Sequence, residues 1–373
     1  MEYTFSLPET VKVERKVRYK VAEYLVPGNI LIICGKHSEN TIKNDIIPSL
    51  AKYGEVTLFS TMPKELPLSF LEDVLTIARE KHVTNIIGWG GGSAIDAAKA
   101  VAALVELTGS CEDYFYDRLK PQARTNNLIA LPTTAGTGAE VTANAVIWDE
   151  KTNVKKSLRT PKMTPDVALV DPELLYNSPK EVIASAGFDA LTQAIESYIS
   201  AKSDAVSEQL AFSGVSLLIN NLLPAIDGNI QAFDLIARGS VTTGMAFSRS
   251  GLGAVHGIAH PLGSIRKVPH GVACAILLPT ILEWNMQAAG EKIQQLALSL
   301  GYKSSGQFIA QLTSLRSQCG LPSYIEGDKL NTLEREFILK ECRSGSMKCN
   351  PRELSNSDVE AILDLVVSPE KRL

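Results

Sequence analysis

The chain is 373 residues long, 45% hydrophobic and 21% charged, with a formal net charge of −4 and a pI near 5.9. That length provides for two domains with ample buried core. The mildly acidic balance excludes a general attraction to nucleic acid or anionic membrane, so any anionic ligand must be held by local basic groups.

Six cysteines are scattered without a C-x-x-C pair and read as reduced, mostly buried thiols. The opening MEYTFSLPETVKVERK has no apolar core of a signal peptide, and a cytoplasmic location is expected. The run NILIIC (Asn29–Cys34) is the first β-rich stretch, followed by a helical pattern through NTIKNDIIPSLAKYG. EVTLFS (Glu55–Ser60) is a second strand, and SFLEDVLTIAREKH repeats apolar residues at helical spacing. TNIIGWG is a third strand closed by glycines, ahead of the alanine-rich SAIDAAKAVAALVEL, and NLIALPTT is a fourth. NAVIWD and DVALVD extend the β-like runs to about Asp171. Strands alternating with amphipathic helices predict a parallel, Rossmann-like sheet with helices on both faces, a dinucleotide-binding α/β domain over residues 1–178.

Ser178-Pro179 marks a helix start, with proline at the first helical position. Beyond it the patterns are long and helical, as in EVIASAGFDALTQAIESYISA and SEQLAFSGVSLLINNLLPAI, and predict an all-α domain over 179–373. The apolar GVACAILLPTIL reads as broken by Pro279 and too short to span a bilayer. A cleft between two such domains is where a cofactor and a substrate are expected to meet.

Within the α/β half, GWGGGSAID places Gly90, Gly91 and Gly92 between a strand and a helix opened by Ser93. The glycines allow close backbone approach, and the free N–H groups and dipole of the helix start favour an anion. This is not the G-x-G-x-x-G fingerprint, though the physics is shared; phosphate binding is favoured over a plain tight turn. LPTTAGTGAEVT puts Thr133, Thr134 and Thr137 at a second strand end, where hydroxyls can meet ribose or pyrophosphate or satisfy their own backbone.

Three of the five histidines, His256, His260 and His270, fall within fifteen residues. His256 and His260 are four apart and share a helical face, as do Asp189 and Gln193 in GFDALTQAIESY. One carboxylate plus two imidazoles is a common divalent-metal set, suited to Fe²⁺ or Zn²⁺ with an open position. Spacing alone leaves a metal site and a proton relay both open.

Taken together, GWGGGSAIDAAKA, LPTTAGTGAEVT, GFDALTQAIESY, GLGAVHGIAHPLG, VPHGVACAILLP and the late CNPRELS make the chain resemble, over nearly its whole length, the iron-containing (group III) alcohol dehydrogenases, a family that includes zinc glycerol dehydrogenases. The resemblance implies the dehydroquinate synthase-like fold of that family and reversible hydride transfer between NAD(P)H and a small aldehyde or alcohol. It implies that the Gly90–Ser93 turn holds the cofactor pyrophosphate with Asp96, Thr133 and Thr134 nearby, and Thr137 and Lys155 complete the expected cofactor set. Asp189, His256 and His270 match the family's metal positions, and His260 matches a histidine beside the nicotinamide, the expected proton-transfer residue. A homodimer or larger assembly is implied as well.

Three departures refine the expectation. Gln193 stands where the iron enzymes carry histidine, which weakens Fe²⁺ or Zn²⁺ binding without removing it. Gly35 stands where NAD-preferring members often carry aspartate, followed by Lys36 and Ser38, so NADPH is expected to be accepted: either Lys36 attracts a 2′-phosphate and NADPH is preferred, or Lys36 is a solvated loop lysine and NADPH and NADH both work. Arg249 replaces a common asparagine and Arg266 lies between His260 and His270. Each is either a fork for an anionic aldehyde, as in the branch that reduces phosphonoacetaldehyde to 2-hydroxyethylphosphonate, or an arginine paired with a nearby acid. The alternatives are a metal-independent enzyme like the maleylacetate reductases, a lyase of dehydroquinate synthase type, and a non-catalytic nucleotide binder.

Overall fold

Residues 6–367 are described in the computed structural model, and the first of two units, ending at Asn177, is built on six parallel strands. In chain order its elements are β1 (Thr10–Val13), β2 (Asn29–Cys34), β3 (Val56–Phe59), α1 (Leu68–Glu80), β4 (Val83–Gly90), α2 (Gly92–Leu104), β5 (Asn127–Pro132), β6 (Asn144–Asp149), β7 (Val154–Arg159) and β8 (Val167–Val170). The sheet order is β1-β8-β5-β4-β2-β3, while β6 and β7 form a separate antiparallel hairpin.

The strands are apolar almost throughout because both faces are covered. Side chains alternate across a strand, so Leu31 and Ile33 of β2 join the apolar cluster under α1 and α2, while Ile30, Ile32 and Cys34 join the opposite one with Val17, Val21 and Ile42. Sequence reading missed β1 and β7. TVKV is four residues long and pairs with β8, more than 150 residues away in the chain. The helical stretch expected after β2 is a succession of short turns from Lys36 to Leu50, including a π-helical turn over Ile42–Ile46. Pro48 supplies the reason: it has no N–H to return to Asn44, so the regular ladder cannot run through this segment.

Helix α2 carries a fully buried lysine. Lys99 Nζ lies 3.2 Å from Asp96 Oδ1, 2.9 Å from the Ala139 carbonyl and 3.0 Å from Thr142 Oγ1, so its three donors are answered. Nearby Glu140 is buried too, and burial pushes its carboxyl up to about 7 against the pull of its own backbone N–H and Lys99. With the folded value above the unfolded one near 4.5, Glu140's contribution is full below about 4.5 and is lost as pH rises through 7. Glu140→Gln should therefore match wild type at pH 4 and exceed it at pH 8 by roughly 3 kcal/mol. Paired denaturant melts at the two pH values check this; equal differences would show that Glu140 is not the titrating group.

The second unit, from Ser178 onward, is helical: α3 (Lys180–Ile199), α4 (Ala205–Ile226), α5 (Ile230–Ser250), α6 (Ala254–Arg266), α7 (His270–Ser299), α8 (Ser305–Gln318), α9 (Thr332–Glu341) and α10 (Asn356–Val366). Helix α3 packs against α4, α5 and α7, and every side chain from Gly187 to Ile199 is buried, which marks a core helix. The break expected at Pro279 does not occur. Helix α7 runs through it, with one non-helical residue later, at Ala289. A proline interior to a helix forfeits one backbone bond, and here the residues around it, Ile276 to Ile281, are largely buried, so packing carries the helix past it. By length and composition alone α4 and α7 could each cross a membrane; α7 instead supplies core and site residues. All six cysteines are unpaired and buried.

Candidate active site

The polar side chains of α3 decide what the second unit can do. Asp189, Gln193 and Glu196 recur at helical spacing on one stripe, and all three are buried. Burying them is costly unless each finds a partner. Glu196 spans two: Oε1 accepts from the Val255 N–H at 2.6 Å and Oε2 lies 2.6 Å from His256 Nδ1. Asn350, in CNPRELS, accepts from the Ala254 N–H at 3.1 Å and is clasped to Asn285 of α7 by two hydrogen bonds. The first amides of α6, which no residue of its own turn can satisfy, are thus capped from α3 and from the distant 350 segment. Gly253 lets these partners in, since a Cβ there would lie 2.7 Å from Glu196 Oε1.

The His256 ring lies between two carboxylates, Glu196 at Nδ1 and, at Nε2, Asp189 Oδ1, 3.2 Å away. His270, first residue of α7, brings Nε2 to 3.6 Å from the same oxygen. One turn further on, Cys274 Sγ lies 3.6 Å from His270 Nε2, 3.9 Å from Asp189 Oδ1 and 4.0 Å from His256 Nε2. The four donor atoms all lie within 4.8 Å of one another.

A ring nitrogen facing a buried carboxylate oxygen requires a proton or a cation between them. Nitrogen and oxygen donors bound at about 2.0–2.2 Å to one ion sit roughly 3.0–3.5 Å apart, close to the 3.2 and 3.6 Å that separate Asp189 Oδ1 from the His256 and His270 nitrogens. Gln193 adds a second sign: its Oε1 is buried without a hydrogen-bond partner. The donor set therefore fits a divalent metal. Burial alone would raise the Asp189 carboxyl, but His270, His256 and the Gln193 amide hold it below its ordinary range. For His256, burial works against the charged ring, yet Cys274, Glu196 and Asp189 hold it well above the usual imidazole value. Two buried carboxylates around one imidazole favour positive charge at this point.

His260 stands beside this set rather than in it. Its ring stacks on His270 at 4.5 Å between centroids and lies 6.3 Å from His256. The two arginines are engaged elsewhere, in the second of the two arrangements the sequence allowed. Arg249 pairs with Asp204, whose carboxylate also caps α4. Arg266 pairs with Glu334 at 3.1 Å and donates to the Asp328 carbonyl. Sequence reading assigned no role to Glu196, Asn350 or Cys274. The spacing of Glu196 from Asp189 was a usable signal; Cys274 was hidden in a run that reads as plain core.

In the first unit, the carboxyl ends of β2, β4 and β5 gather the expected cofactor residues. The chain turns back between β2 and β4, the switch point where α/β sheets bind ligands. Thr133 N–H donates to the Gly90 carbonyl at 2.9 Å, a Cβ on Gly90 would lie 3.5 Å from Gly35 N, and one on Gly92 would lie 2.9 Å from Thr137 Cγ2. A Cβ on Gly91 would come to 3.7 Å from Thr134 Oγ1. This is a cradle that side chains would fill, at the start of a 13-residue helix, and it fits a pyrophosphate. Three expected members have other commitments. Ser93 Oγ donates to the Lys64 carbonyl. Asp96, buried, accepts from Val146 N–H and Lys99 and so ties α2 to β6. Lys155 pairs with Glu65 at 2.9 Å. Past β2, Gly35 has nothing within 4 Å of its would-be Cβ and Lys36 is exposed in the turn with Ser38; the first carboxylate, Glu39, is ion-paired to Lys43.

Residues 8–172 match the family described as iron-containing alcohol dehydrogenase, and residues 183–367 match its C-terminal counterpart. Lactaldehyde reductase of Escherichia coli K12 is 31% identical over 350 residues, covering 90% of this chain and 89% of that protein. The NADPH-dependent butanol dehydrogenase of Clostridium saccharobutylicum is 32% identical over 298 residues, 75% of this chain and 76% of that one. Among solved structures, sulfoacetaldehyde reductase from Bifidobacterium kashiwanohense, in complex with NAD⁺, superposes with a TM-score of 0.92 at 25% identity, covering 99% of this chain and all of that one.

Proposed function

The chain belongs to the iron-containing alcohol dehydrogenase family, and from that membership we propose that it reduces a small, uncharged aldehyde, with NADPH preferred as the reductant. At the coarser level it is a metal-dependent, NAD(P)-linked alcohol dehydrogenase. The observation that carries the reading is the convergence of Asp189, His256 and His270 on one point inside the helical unit.

A divalent ion held there would supply Lewis-acid polarisation of the carbonyl oxygen, and a bound nicotinamide would supply the hydride. Asp189 and the two imidazoles would hold the ion, and Glu196, 2.6 Å from Nδ1, would aim His256 from behind. His260 passes a proton from a ring nitrogen to the oxygen as the alcohol forms. The preference for an uncharged aldehyde is supported by the pairing of Arg249 and Arg266 with carboxylates and by the relationship to lactaldehyde reductase. The preference for NADPH is supported by Gly35 and exposed Lys36, which leave room and positive charge for a 2′-phosphate.

A second reading, an anionic aldehyde bearing a sulfonate or phosphonate, is favoured by the likeness to sulfoacetaldehyde reductase. Steady-state kinetics on lactaldehyde, butanal, sulfoacetaldehyde and phosphonoacetaldehyde, with each reduced cofactor and with Fe²⁺ or Zn²⁺ added, separate the two. We expect Arg249→Ala to change KM for charged and uncharged aldehydes by the same factor, within about threefold. A rise in KM confined to the anionic pair would install the second reading. Kinetics at least about tenfold better with NADH would overturn the cofactor preference, and protein holding under about a tenth of an equivalent of metal, unrestored by Fe²⁺ or Zn²⁺, would move the enzyme to the metal-independent class.

A further inference from the structure

Cys274 is wholly buried, yet its surroundings are not those of an inert core thiol. Its sulfur lies 3.6 to 4.0 Å from two imidazole nitrogens and a carboxylate oxygen. It sits four residues after His270 on α7, so the two donors share a helical face by construction. A metal bound to sulfur at about 2.3 Å and to nitrogen at about 2.0–2.1 Å places those donors roughly 3.6 Å apart, which is the Cys274–His270 separation. None of the other five cysteines is among the donors of this cluster.

Gln193 is the competing fourth donor. A neutral amide oxygen binds a transition metal less strongly than a thiolate. Resting on the reading that this site holds a divalent metal, we propose that Cys274 Sγ, as the thiolate, is the fourth protein ligand, giving an Asp-His-His-Cys set that selects zinc over iron(II). On binding, the sulfur–metal bond forms as the thiol proton leaves to solvent. One soft donor among harder ones tilts the site toward zinc, and Gln193 is left to position Asp189.

The test uses the full-length protein freed of metal by chelation and titrated with Co²⁺, whose absorption reports sulfur ligation directly. Wild type should show a thiolate-to-cobalt charge-transfer band in the near ultraviolet that saturates at one equivalent. Cys274→Ser should abolish the band, while Gln193→Ala should keep it. Competition with a chromophoric chelator should show Zn²⁺ affinity falling about 10- to 100-fold in Cys274→Ser, with Fe²⁺ affinity falling less. Stoichiometric cobalt binding to wild type without the band would overturn the proposal and leave the metal-dependent reading intact. A band that survives Cys274→Ser, or equal losses for both metals, would overturn it as well. Failure of wild type to bind cobalt, zinc or iron at all would take the metal-dependent reading down with it. The wild-type spectrum decides ligation even if the variants fold poorly.

Discussion

Asp189→Asn should lower kcat/KM by roughly a thousandfold or more, because Lewis-acid stabilisation at such a site is worth several kcal/mol. Asp189 Oδ1 is the atom that both imidazoles and the Cys274 sulfur approach. Asparagine keeps the shape and removes the charge, and it can turn an N–H toward His256 Nε2, capping the lone pair that a metal would use. Metal affinity should fall with activity, and the loss should not be rescued by millimolar Zn²⁺ or Fe²⁺. Melting of the metal-free protein should change little, since the carboxylate and its amide occupy the same volume, while the stabilisation that added metal gives wild type should vanish. Kinetics, metal content and melts with and without metal measure all three. A variant retaining more than about a tenth of wild-type kcat/KM at full metal content would show that the charge of Asp189 is not what the site uses.

What the sequence disclosed and what it hid divide along contact range. Asp189 and Gln193, His256 and His260, and the glycines after β4 are local patterns, and helical periodicity or a turn suffices to read them. That His270 closes on Asp189 across 81 positions is tertiary: the residue types suggested the set only if the two helices faced each other, and the family resemblance assigned the positions. Asn350 illustrates the limit: it caps an amide 96 positions away and is clasped to Asn285, 65 away, and nothing in CNPRELS by itself announces a helix cap. Lys99 fails for the opposite reason. It lies in an alanine-rich helix where a lysine reads as a solvent face, but Asp96 one turn back and two polar partners across a loop hold it fully buried. Arg249 was legible only as a choice between substrate and structure. The partner that answers its charge, Asp204, is 45 residues back and is itself a helix cap.

The second large effect should come from a methyl group. Gly271 follows His270, and a Cβ there would lie 2.0 Å from the Ser185 carbonyl oxygen and 2.7 Å from both its carbonyl carbon and Oγ. No side-chain rotation relieves a clash with backbone. To reach even 3 Å, α3 and α7 must part by about 1 Å, and misplacement of that size can cost about a hundredfold in rate. The damage falls on both halves of the cluster. In an α-helix the Ser185 carbonyl receives the N–H of residue 189, so pushing it disturbs the turn that aims Asp189, while retreat of α7 carries His270 and Cys274 away together. Gly271→Ala should therefore cost about 10²-fold in kcat/KM, at least tenfold in metal affinity, and roughly 1–3 kcal/mol of stability from overpacking. Gly306→Ala is the control. Its site near the start of α8 has only Ser304 Oγ within 4 Å, at 3.8 Å, and alanine there should be neutral or stabilising by up to about 1 kcal/mol. If Gly271→Ala bound metal and turned over within about threefold of wild type, the contact between α3 and α7 would have slack, and close approach of these two helices would not be what brings the donors together.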